Sequence, residues 1–83
     1  MAKVTVPAGV PTVVSAGTAN DLIIANGGAA PLFLNTTDPA TDGPAITLAG
    51  KDSVIMSAGS AFAASQWVGY SGVGTEAVVV EVA

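Results

Sequence analysis

Apolar side chains along this chain come in short runs, each broken by glycine, proline, asparagine or aspartate. "KVTV" at residues 3–6 is a first extended piece, stopped by Pro7. "VPTVVSAG" at 10–17 is a second, and Pro11 near its start points to an edge strand or a strand beginning. "DLIIAN" (21–26) and "PLFLN" (31–35) follow, with "GGAA" between them. Glycines there supply the positive φ that tight turns require, so the two runs read as strands joined by a glycine turn. "TTDPATDGP" (36–44) is a loop by its prolines, aspartates and glycine. "AITLAG" and "KDSVIMSAG" each hold a strand-like centre. In "SAFAASQWVGYSG" the first half suits one helical turn, while Trp, Val and Tyr favour a strand centred on residues 66–71. "TEAVVVEVA" closes the chain as a strand, with Val78, Val80 and Val82 on one face and Ala77 and Val79 on the other.

Turn signals every 8–12 residues and roughly seven short strands predict an all-β chain: one small antiparallel β-sandwich. No stretch sustains a 3.6-residue period, and no internal repeat or domain boundary is visible. Residues 1–17 read as an extended N-terminal arm or the first strands, and 18–83 as the sandwich proper, one domain in all.

Two of these strands pose a problem. Side chains alternate between the faces of a strand, yet Leu22, Ile23 and Ile24 are consecutive, as are Leu32, Phe33 and Leu34. Neither face of either strand is polar. One candidate inward set is Leu22, Ile24, Leu32 and Leu34; the other is Ile23 and Phe33. Something must cover whichever face is not in the core.

Size sharpens the problem. At 83 residues the chain buries about 60–65% of its unfolded surface, which leaves its net stability slender. Small domains usually add a disulfide, a metal or a partner. The sequence has no cysteine and no histidine, which removes disulfides and the usual zinc and copper ligands. Oligomerisation remains.

Charge narrows the partners. Only 10% of residues are charged, the net charge is −4, and Lys3 and Lys51 are the only positive side chains. Phosphate binding depends on Lys and Arg displacing counterions, so nucleic acid and anionic membrane surfaces are not expected partners. The uncharged run from residue 53 to 75 is broken by serines, a glutamine and glycines, so it does not read as a membrane span. The first residues carry no signal-peptide core, and the expectation is a protein made in the cytoplasm.

The same inventory weighs against an enzyme. Without His or Cys the common nucleophile–base pairs are missing. Ser–Lys chemistry finds no supporting spacing around Lys3 or Lys51. Asp38 and Asp42, with Asp52, form the one acidic grouping with a Ca²⁺-like look, but Asp-Pro and Asp-Gly are ordinary turn chemistry. "ANGG" and "GYSGVG" lack a Walker lysine and a strand–loop–helix setting, so they read as turns. No cofactor and no metal are expected. Trp67 and Tyr70, three residues apart, fall on opposite faces of a strand. Trp67 reads first as core; either ring is otherwise an interface anchor or a sugar-stacking platform.

The order of the segments carries a resemblance. An aliphatic strand ending in Asn ("LIIAN"), a second strand ("PLFLN") before a Gly/Pro loop, then "AITLAGKDSVIM", "QWVGYSG" and "TEAVVVEV" resemble small β-sandwich proteins of tailed-bacteriophage virions. The likeness runs from about residue 18 to 82 and leaves the first dozen residues unmatched. It implies a jelly-roll-like sandwich and a non-enzymatic structural role: a capsid decoration or cement protein, located on the virion's capsid surface, partnered by copies of itself, a trimer favoured, and by a major capsid protein. The alternative is a tail or fibre component that binds a carbohydrate or other receptor, drawing on Trp67, Tyr70 and the loop around Asp38 and Asp42. Interface candidates are Val4, Val6, Val10 and Val13 of the arm, which adds to a neighbour's sheet edge or folds back on its own sandwich, together with Ile23, Phe33, Trp67 and Tyr70.

Overall fold

A computed structural model describes residues 2–82. Eight strands form: β1 (Ala2–Val6), β2 (Thr12–Ser15), β3 (Asp21–Asn26), β4 (Leu32–Asn35), β5 (Ile46–Leu48), β6 (Ser53–Met56), β7 (Trp67–Tyr70) and β8 (Thr75–Val82). Every β-prone run becomes a strand, one more than the spacing of turn signals implies. Two single-turn helices, α1 (Pro39–Asp42) and α2 (Ala61–Ala64), sit in the longer connections.

The strands make two four-stranded antiparallel sheets, ordered β1-β8-β3-β6 and β2-β7-β4-β5. Each connection except β4–β5 crosses from one sheet to the other. That is the strand order of a jelly roll, the double-sheet solution to closing an antiparallel fold. The expected sandwich is therefore observed.

One local expectation fails. β3 and β4 do not pair as a hairpin: β3 lies between β8 and β6, and β4 between β5 and β7 in the opposite sheet. The glycine turn between them is a crossover. Each is an inner strand of its sheet, with a neighbour on both sides.

Parity is settled by burial. Leu22, Ile24, Leu32 and Leu34 are each 0% exposed and line the gap between the sheets, with Val6, Val14, Leu48, Met56, Trp67, Ala77 and Val79. A fully buried side chain of this size contributes roughly 1.5–3 kcal/mol. Ile23 and Phe33 face outward and are half-buried. On β8 the inward face is the smaller one, Ala77 and Val79, so Val78 and Val80 point away from the core.

Residues 2–17 belong to the sandwich. β1 runs antiparallel to β8, and β2 antiparallel to β7 with a register shift between Val13 and Ser15. Of the two arrangements expected for the N-terminal arm, the chain shows the one folded back on itself.

Polar groups lock one end of the sandwich. Asn26, 1% exposed, ends β3 and donates from Nδ2 to the carbonyls of Ala30 (2.6 Å), Leu48 (3.1 Å) and Ala49 (3.2 Å). Its Oδ1 accepts from the Gly28 amide (3.1 Å) and the Thr75 hydroxyl (2.6 Å). One side chain thus ties the β3–β4 crossover, the end of β5 and the start of β8, and bridges the two sheets. Gly28 is required here because a Cβ would occupy the space of the Thr75 side chain. At the other end, Ser60 caps α2 by accepting from the Ala63 amide (3.2 Å), and the α2 carbonyl of Phe62 accepts from Trp67 Nε1 (2.8 Å).

Candidate interaction surfaces

Four surfaces present themselves: the two outer sheet faces and the two open sides where edge strands meet. The outer face of the β1-β8-β3-β6 sheet is built from the outward residues of each strand. Register aligns Val80, Ile23 and Ile55 in one row across β8, β3 and β6. The next row holds Lys3, Val78, Ala25 and Ser53. Ile55 is 70% exposed and Val82, farther along β8, 46%. The centre of this face is therefore aliphatic and uncharged. Its charges lie toward the border: Lys3, Asp21 and Glu76. A contiguous apolar patch of this kind on a small domain marks a site of association.

The outer face of the β2-β7-β4-β5 sheet is different. Phe33 lies across from Tyr70 and Thr47, and the two rings stack with centroids 6.5 Å apart and planes 25° apart. Val68 pairs with Val13 on one side and Asn35 on the other. α1 packs against β4 and β7, and Val68 and Pro39 are buried. This sheet supplies much of its own cover. What stays open to solvent is the half-buried aromatic pair with exposed Thr47 beside it, and Val13, 50% exposed.

The open sides are clefts between the sheets. One of about 480 Å³ is bordered by Ala2, Val14, Ser15, Ala16, Val79 and Glu81 at the β1/β2 side. The other, about 430 Å³, is bordered by Ile46, Val54, Ile55, Met56 and Phe62 at the β5/β6 side. Phe62, projecting from α2, is 65% exposed.

The eight candidate interface residues now separate. Val6 and Trp67, at 0% and 2% exposure, are core residues and present nothing to a partner. Val6 points inward because β1 is a regular strand of the sandwich, and Trp67 is held inward by its bond to the Phe62 carbonyl. Val4 shares the inward parity of Val6 and packs partly against the core. Val10, 51% exposed, lies in the β1–β2 connection, and Val13 faces out from β2. Ile23 is central to one outer face; Phe33 and Tyr70 form the aromatic pair of the other. Trp67 and Tyr70 do lie on opposite faces of β7. The sequence reading missed Ile55 and Phe62; both are large apolar groups in an uncharged run, and only the register of β6 and the placement of α2 show them exposed.

The polar motifs have structural work to do. Asp38 is the N-cap of α1, its carboxylate accepting from the Ala40 amide at 2.9 Å. Asp52 accepts from the Ser53 amide at 2.9 Å. No group of three or more acidic residues lies together among the described residues. In the Asn26-Gly27-Gly28 turn the Gly27 amide donates to the Glu76 carbonyl (2.7 Å) and the Gly28 amide to Asn26, so these donors are not aimed at a ligand. Lys51, exposed, donates from Nζ to the Gly27 carbonyl. No helix among the described residues is long and apolar enough to cross a membrane.

Fold and surface define a class: a minimal eight-stranded jelly roll with one outer face whose centre is aliphatic and uncharged. Compared with known proteins, the chain matches no family model, no curated protein and no solved structure.

Proposed function

We propose that this protein is a non-enzymatic structural module of a phage virion, a capsid decoration or cement protein that associates with itself and with a major capsid protein and stabilises the shell. The observation that carries the reading is the outward row Val80, Ile23 and Ile55, backed by Val78, on a sheet whose other face is already filled by the core. Burying that row against a neighbour recovers transfer energy that a free sheet forgoes, roughly 25 cal/mol for each Å² covered. Scarce charge fits the role, because it lets surface be covered without desolvating ions. The jelly roll is also an architecture that viral shells use repeatedly, which is support by analogy of fold alone.

Co-sedimentation with purified capsids of the phage that encodes the protein tests the proposal. Binding that saturates at a fixed ratio to the capsid protein is expected, with loss of binding for Ile23→Lys. No binding at micromolar concentration overturns it.

A second reading has its own observation. The stacked Phe33–Tyr70 pair, flanked by Thr47 and Asn35, resembles a sugar-stacking platform and favours a tail or fibre component with a receptor role. Burial of Trp67 removes one of the aromatics that reading relied on. A glycan array with hits that vanish in Tyr70→Ala would rank it first.

A further inference from the structure

The sandwich has four edge strands, and three carry a guard against pairing with another chain. β1 has Lys3 within its five residues, β2 follows Pro11 and has a register shift between Val13 and Ser15, and β5 is three residues long. Lysine, proline, bulges and shortness are the usual ways of blunting an edge. β6, Ser53–Met56, is four residues long and holds no charge, no proline and no bulge.

Its free backbone groups can be assigned. The Asn26 amide donates to the Asp52 carbonyl at 2.8 Å, so position 52 faces β3. Alternation along an antiparallel strand then turns positions 54 and 56 toward β3 and positions 53 and 55 away from it. The Ser53 amide agrees, since it is taken by the Asp52 carboxylate instead of by β3. The N–H and C=O of Ile55 therefore both point off the edge of the sheet.

We infer that β6 pairs antiparallel with β6 of a second copy, about a two-fold axis at Ile55. In that register each Ile55 N–H donates to the Ile55 carbonyl of the other copy, giving two reciprocal bonds. Val54 falls opposite Met56 of the partner strand on the inner face. These are the side chains that border the apolar cleft with Ile46 and Phe62, so the second copy closes the cleft that the monomer leaves open. On the outer face the rows Val80–Ile23–Ile55 of the two copies meet end to end, forming one aliphatic stripe across six strands. The interface is isologous, as a two-fold contact requires. This deepens the assembly reading and rests on it, but replaces the three-fold preference implied by the phage resemblance with a two-fold contact.

Sedimentation equilibrium and hydrogen exchange of the wild-type chain test the pairing. The expected mass at micromolar concentration is twice the 8.0 kDa of the chain. The Ile55 amide is expected to exchange at least ten-fold more slowly at high than at low protein concentration, a measurement that needs no variant. Ile55→Lys is expected to halve the mass and leave the circular dichroism spectrum unchanged, because the side chain is exposed. Ile23→Lys is expected to stay dimeric while losing shell binding. A monomeric wild type, an Ile55 amide indifferent to concentration, or an oligomer that survives Ile55→Lys overturns the pairing. Shell binding by a chain that fails those tests would leave the assembly role intact and refute only the β6 contact.

Discussion

Truncating Asn26 would leave the carbonyls of Ala30, Leu48 and Ala49 without the donor that now serves them inside the protein. A buried polar group left unpaired costs about 1–3 kcal/mol, more than the net worth of the bond. Asn26→Ala is therefore expected to cost about 3 kcal/mol or more, read as a lower urea midpoint with an unchanged slope. Asn26→Asp should be nearly as harmful, because it sets a carboxylate against three carbonyls. Gly69 makes a second case at this scale. A Cβ there would lie 3.1 Å from Val14 Cγ1 and 3.2 Å from Leu32 Cδ1, so Gly69→Ala should cost about 1–3 kcal/mol by overpacking, measurable in the same titration. Neither role is legible in the sequence. Asn26 sits after an aliphatic run like any turn residue, and Gly69 interrupts an aromatic strand like any bulge. Their importance comes from groups distant in the chain: Leu48 and Thr75 for one, Val14 and Leu32 for the other.

At the scale of elements the hydrophobic pattern was informative where a strand has one buried face and ambiguous where it has two apolar ones. The run 75–82 is readable as a strand, yet three of its four valines face outward, opposite to what side-chain size alone would favour. "LIIAN" and "PLFLN" were readable as strands, but their pairing was not, because a glycine turn serves a hairpin and a sheet crossover equally well. Partnership is set by long-range register, which local pattern does not encode. The N-terminal arm shows the same limit. Its valines and prolines fit either a swapped strand or a resident one; residency puts Val6 in the core and pairs β1 with β8 over five positions. Deleting residues 2–9 is accordingly expected to remove the cooperative thermal transition. A truncated chain that melts cooperatively and only fails to assemble would show that the arm is dispensable to the fold.

The whole molecule is a sandwich small enough that each sheet has an interior face to fill and an exterior face to dispose of. One exterior face is partly covered by α1 and an aromatic pair. The other keeps its aliphatic row uncovered, and that asymmetry answers why Ile23 is as apolar as its buried neighbours Leu22 and Ile24. Composition made an unpartnered surface foreseeable; its location on β8, β3 and β6 required the register. The direct test of the proposed assembly role is the stoichiometry of the protein on purified phage capsids, with Ile23→Lys alongside. Saturation at a fixed copy number per capsid protein, abolished by the substitution, is the predicted result. Failure to bind, or equal binding by a folded Ile23→Lys chain, would contradict it.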